Sequence, residues 1–241
     1  CPFQGDYLVN AKLDLPVALF TLVEAWARPQ STLPKVIRWK KYQKRGTRRQ
    51  DTLQHSFSIA LFAIWLFPQL RRYVKFDEYF VLSALILHDI GEGELGNDTL
   101  YMDKTHSGDD VEASAFLARY RDIFGEITTA AYLLQYAGKA THMPTHTKML
   151  ELLEKQFPTE RLVFEAVERF DYLLYAFEQY FTRQKAKILV HVLRNQWPKL
   201  EDLAVKIPGL AETLWMHEIG AWRESFLKQH EGKWIEQKGE R

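Results

Sequence analysis

Cysteine is nearly absent: 241 residues hold one, Cys1. No intramolecular disulfide can therefore staple the fold, which fits a reducing compartment. A charge imbalance is lacking too. Lys and Arg total 32 against 31 Asp and Glu, a net of +1, so no global field draws the chain toward nucleic acid or an anionic membrane. No signal-peptide pattern opens the sequence, and cytoplasmic residence is expected. The longest apolar run, Phe57 to Phe67 with Ser58 inside it, is short of the ~20 residues that cross a bilayer. Internal repeats, low-complexity linkers and sustained period-two alternation are likewise missing, so neither a solenoid nor a β-sheet is expected. What remains is 46% apolar and 26% charged, the balance of a soluble globular protein with enough residues for a substantial core.

Apolar residues recur at helical spacing almost throughout. Helices are expected over about 16–28, 34–43, 52–67, 77–91, 109–122, 126–138, 145–156, 159–195 (one helix or two), 198–206 and 209–230. Pro68 should end or kink the third, because it has no N–H to continue the ladder. The fold class is all-α. An N-terminal helical segment is placed at 1–33, a single helical bundle at 34–195 and a C-terminal helical extension at 196–241. In that extension Trp215, Ile219, Trp222 and Phe226 form one apolar stripe, read as a helix docked on the core rather than a subunit interface.

Two of the apolar helices carry residues that a core excludes. His55 sits in QHSFSIALFAIWLF, and His88-Asp89 in YFVLSALILHDIGEGELGND. Burying such groups without partners costs several kcal/mol, and a divalent cation is the simplest compensation. Neighbours on an ideal helix point about 100° apart, yet His88 and Asp89 can share an ion if the helix ends beside it; Gly91 is read as that end signal. Glu92 lies one turn on, placed to act on water without being a ligand. Two imidazoles and one carboxylate leave room for a fourth ligand. Asp171 is preferred, since Phe170, Leu173, Leu174 and Phe177 surround it; Glu165 and Glu168 are the alternatives.

This ordered set resembles the HD-domain metal-dependent phosphohydrolases, and among them the bacterial 5′-deoxynucleotidases. The similarity spans about 34–180: Arg38-Trp39, QHSFSIALFA, LILHDIGEGELGND and RFDYLLYAFEQY. It implies an HD-domain bundle holding one divalent transition metal (Mn, Co, Fe, Ni or Zn) on His55, His88, Asp89 and Asp171. Glu92 would be the catalytic carboxylate beside Asp89, Arg38 a phosphate contact, and Trp39 part of a nucleoside pocket. Where the family has Gly-Asp near the sugar, this chain reads Gly96-Asn97-Asp98, so Asn97 or Asp98 takes that place. The implied reaction removes phosphate from a (deoxy)nucleoside 5′-monophosphate by attack of a metal-activated water. A nucleoside triphosphate hydrolase, another HD phosphodiesterase and a nucleotide-binding module without turnover are the alternatives. The expected partner is a small-molecule nucleotide, with a homodimer implied by the resemblance; no membrane or nucleic-acid partner is expected.

Other features carry less. HDIGE resembles the HDIGK of cyclic-dinucleotide phosphodiesterases, but Glu92 replaces their lysine and their GYP signature is absent. From Arg38 to Arg49 there are seven basic residues and no acid, either a strip that steers a polyanion or a solvated face. His142 and His146 in THMPTHTK are read as a surface loop, with a second metal site the sharper reading.

Overall fold

The computed structural model describes residues 15–38, 40, 49–97, 106–182 and 187–229. Nine helices run through them: α1 Leu15–Thr32, α2 Thr52–Leu70, α3 Glu78–Leu87, α4 Ile90–Leu95, α5 His106–Leu133, α6 Thr147–Gln156, α7 Pro158–Thr182, α8 Lys187–Lys206 and α9 Leu214–Gln229. The fold is all-α. Among the described residues the strand content is a two-residue ladder, β1 Ile37–Arg38 antiparallel to β2 Gln50–Asp51.

That ladder replaces part of the helix expected over 34–43. The residues after α1 form one 3-10 turn, Leu33–Lys35, and then extend. Pro34 supplies no amide for a longer helix, and Val36 and Ile37 favour extended backbone. Pairing sets Ile37 opposite Asp51 and Arg38 opposite Gln50, while the Thr52 amide donates to the Val36 carbonyl at 3.0 Å. The ladder delivers two things to one place. Asp51 caps α2 through a reciprocal bond with Gln54, and Arg38 is carried inward, 6% exposed.

α2, α3, α5 and α7 enclose the core. Ile59, Ala63, Leu66 and Leu70 give α2 a buried stripe, met by Val163, Val167, Phe170 and Leu173 of α7; the Phe62 and Phe170 rings lie 5.3 Å apart. α2 runs two residues past Pro68, so the helix does not end there; the proline forgoes the bond an amide would make to the Ile64 carbonyl. By length and composition alone α2 could cross a membrane, yet 44% of its apolar window is buried within the fold.

Gly125, with φ +71, breaks α5 into two helical segments, matching the expected division between 109–122 and 126–138. The expected 159–195 helix divides into α7 and α8. The boundary placed at 195/196 falls inside α8, which continues to Lys206 across Pro198. α9 docks through buried Ile219 and Phe226, the latter edge-on to Tyr180 at 4.9 Å. The side chain of Trp215 lies outside the described residues.

Candidate metal centre

α3 ends at Leu87, and the His88 amide makes its last regular bond, to Ala84. Asp89 then adopts φ −97, ψ 4 and caps α4, which restarts at Ile90. The chain therefore turns a corner between the two helices, and the corner aims the adjacent imidazole and carboxylate at a common point. Gly91 is not the end signal expected of it. It lies inside α4, where a Cβ would come 2.5 Å from Tyr132 Oη and 2.8 Å from the Glu112 carbonyl; its role is close packing of α4 on α5. The true C-cap is Gly96, at φ +69.

His55, on the second turn of α2, faces this corner. His55 Nε2 lies 3.2 Å from His88 Nε2, His88 Nε2 lies 3.2 Å from Asp89 Oδ1, and His55 Nε2 lies 3.6 Å from Asp89 Oδ2. All three residues are buried, and one ligand atom from each lies within 4.8 Å of the others. Among the described residues this is the one His, Asp and Glu group so compact.

Hydrogen positions follow from the partners. His88 Nδ1 is 2.7 Å from the Leu85 carbonyl, and a carbonyl can only accept, so Nδ1 carries the proton. Burial holds the His88 pKa below its ordinary value, with the Asp89 carboxylate opposing. At neutral pH the ring is then neutral and its Nε2 is a bare lone pair. On the other ring, His55 Nδ1 lies 2.9 Å from Asp171 Oδ2, though out of line for a hydrogen bond. With hydrogen on His55 Nε2 the two rings pair by a hydrogen bond; with hydrogen on Nδ1, toward the Asp171 carboxylate, both Nε2 atoms are open to a metal. Two imidazole nitrogens and a carboxylate oxygen thus converge in a buried space. This donor set fits a divalent cation, the species that satisfies all three at once.

The other expected site residues fall at different distances from that point. Arg38 donates through Nη1 to Asp89 Oδ2 at 2.9 Å, and through Nη2 to Tyr172 Oη at 3.3 Å. Asp171 stands at the far nitrogen of His55 rather than within the three-residue group. Of its two alternatives, Glu168 comes 3.8 Å from His88 Nε2, whereas Glu165 is engaged by Arg169 at 3.1 Å. Glu92 is buried on α4, 3% exposed. Asn97 is exposed, its amide donating to the Glu92 carbonyl at 3.3 Å. Trp39, Asp98 and the basic residues of 41–48 lie outside the described residues. His142 is exposed, and His146 contacts Ser114 Oγ at 3.3 Å; the two join no compact ligand group among the described residues.

Two contributors carried no usable signal in the sequence. Gln135 Nε2, on the 3-10 turn Leu134–Tyr136 that follows α5, donates to the His88 carbonyl at 2.6 Å and fixes the backbone at the corner. Tyr172 receives Arg38, and only its adjacency to Asp171 marked it. A scan against protein-family models, a search of curated proteins and a search of solved structures find no match.

Proposed function

We propose that this centre holds one divalent transition metal and serves an HD-type phosphohydrolase that removes phosphate from a nucleoside 5′-monophosphate. The observation that carries the proposal is the buried convergence of two imidazole nitrogens, 3.2 Å apart, with a carboxylate beside them. A structural zinc would close its shell with four protein ligands. Among the described residues the compact group supplies three. A divalent ion so held is a Lewis acid that lowers the pKa of water and polarises a phosphoryl oxygen.

The chain's own residues divide the remaining work. Arg38, bonded to Asp89 and adjacent to the cluster, carries a planar fork of donors suited to phosphate oxygens. Glu92, buried one turn beyond Asp89, gives a proton to the leaving 5′-oxygen as the phosphorus–oxygen ester bond breaks. It recovers a proton from the water whose oxygen joins phosphorus. Asp171 holds His55 from behind, as carboxylates commonly do for ligating histidines.

The test is phosphate release from mono-, di- and triphosphates of nucleosides by protein stripped and reloaded with Mn, Co or Zn, with Asp89→Ala in parallel. Orthophosphate from monophosphates, lost in the variant, is the expected result. Tripolyphosphate from triphosphates would transfer the site to triphosphohydrolase chemistry. Silence across the panel from metal-loaded protein would overturn hydrolysis of nucleotides altogether.

A further inference from the structure

A cavity of about 640 Å³ begins at Asp171 and runs along the seam between α2 and α7 to α9. Its volume lies in the range of sites that enclose small organic ligands. Along α7 it is lined from Asp171 through Leu174 to Glu178, a rise of about 10 Å. Ser58 and Phe62 of α2, one and two turns beyond His55, form the facing wall. Trp222 of α9 closes the far side, its ring edge-on to Phe177 at 5.7 Å and its surface 43% exposed.

The helix bearing that tryptophan is fixed in place. Phe226 packs on Tyr180, and the Arg223 guanidinium lies 5.2 Å from the Trp197 ring. Trp222 thus offers an aromatic surface to a mostly apolar pocket whose other lining includes the Asp171 carboxylate, 2.9 Å from His55 Nδ1. Such walls accept flat rings by stacking, while Ser58, Ser225 and Glu178 offer hydrogen-bonding groups to ring edges.

We propose that this cavity takes the organic half of the substrate and that Trp222 is its ring-stacking wall. The substrate class is then phosphomonoesters of a ring-bearing alcohol, the nucleoside of a nucleotide, in preference to short aliphatic phosphates. This deepens the nucleotidase reading and rests on it for the position of the phosphate. The C-terminal helix thereby acquires a purpose, as part of the substrate pocket.

The experiment has two arms. In the first, kcat and KM are compared for a nucleoside 5′-monophosphate and for glycerol phosphate, in wild type, Trp222→Ala, Trp222→Phe and Ser225→Tyr. Ser225 is exposed and lines the cavity, so tyrosine there fills the pocket without removing a core contact. The expected result is a KM for the nucleotide raised about tenfold by Trp222→Ala, with substantial rescue by phenylalanine. A similar rise in Ser225→Tyr is expected, and the nucleotide preference over glycerol phosphate narrows in both. The second arm measures binding of the unphosphorylated nucleoside to metal-free protein by ligand-detected NMR, which needs no turnover. Trp222-dependent binding without hydrolysis would sustain the pocket and sink the phosphohydrolase. Hydrolysis with unchanged KM in both Trp222→Ala and Ser225→Tyr would do the reverse.

Discussion

Two regions of this molecule bury acids within a few residues of each other, and they treat them differently. Behind α4, Glu112 accepts a hydrogen bond from Tyr136 Oη at 2.9 Å, and its carbonyl accepts one from Tyr132 Oη at 3.3 Å. Glu94 takes Arg28 at 2.7 Å and Tyr120 Oη at 2.8 Å. In front of α4, His55, His88 and Asp89 bring two ring nitrogens and a carboxylate together, with Arg38 donating to Asp89 Oδ2. The rear cluster is completed by protons the protein itself supplies. Burial raises the Tyr136 pKa well above its usual value, so its hydroxyl stays a donor. The front cluster gathers atoms that could hold a metal ion. Buried polarity therefore marks a candidate site where metal-ligating atoms converge, and marks scaffolding where hydroxyl and guanidinium donors answer the acids.

The difference can be broken most sharply with metal. Adding Mn, Co or Zn to stripped protein should raise Tm by several degrees, since a ligand at 100 times its Kd adds about 2.7 kcal/mol. Asp89→Ala should abolish that rise, and Glu112→Gln should keep it; calorimetry with and without chelator reads both. An equal response in the two variants would erase the distinction. Gly91→Ala comes next, because its Cβ would meet both Tyr132 and the Glu112 backbone. A loss of about 1–3 kcal/mol is expected from such overpacking, read as a lowered urea midpoint. Tyr136→Phe removes one donor from a buried carboxylate and should cost about 1–3 kcal/mol while leaving metal affinity intact by titration calorimetry.

The smallest effect is one of pH on the metal-free protein. The folded-state pKa of His88 lies below 6.5, so as pH falls through 6.5 the unfolded chain takes its proton first. Folding stability should then decline until His88 is protonated in the folded state too. His88→Gln should flatten that decline in denaturant titrations between pH 7 and 5.

Helical periodicity made the all-α class legible, and the apolar setting of His55 and His88-Asp89 made the centre legible. Both depend on local pattern, which one sequence displays. The ladder at Ile37–Arg38 was not, because its partner Gln50–Asp51 lies beyond a segment that no periodicity connects to it. Gly91 was misread for a related reason: a glycine that ends a helix and one that admits a tyrosine look alike until α5 is in place. Asp171 was rightly seen as an acid in an apolar helix, yet which nitrogen of His55 it would address is a matter of helix packing. The cavity beside Trp222 arises where three helices distant in sequence meet, and the apolar stripe on α9 announced only that something would cover it.

Glu92 stands on a helix of six residues, where about 12–15 are needed before an isolated helix becomes even marginal in water. α4 thus has no persistence of its own. Arg28 reaches it from α1 and Tyr120 from α5, both through Glu94, while Gly91 seats it against Tyr132. Opening of this segment is consequently tied to release of its neighbours, and its amides exchange with solvent on their schedule. Among the described residues the N-terminal helix places no side chain in the compact group, yet its Arg28 ties the helix that carries the acid to the rest of the fold.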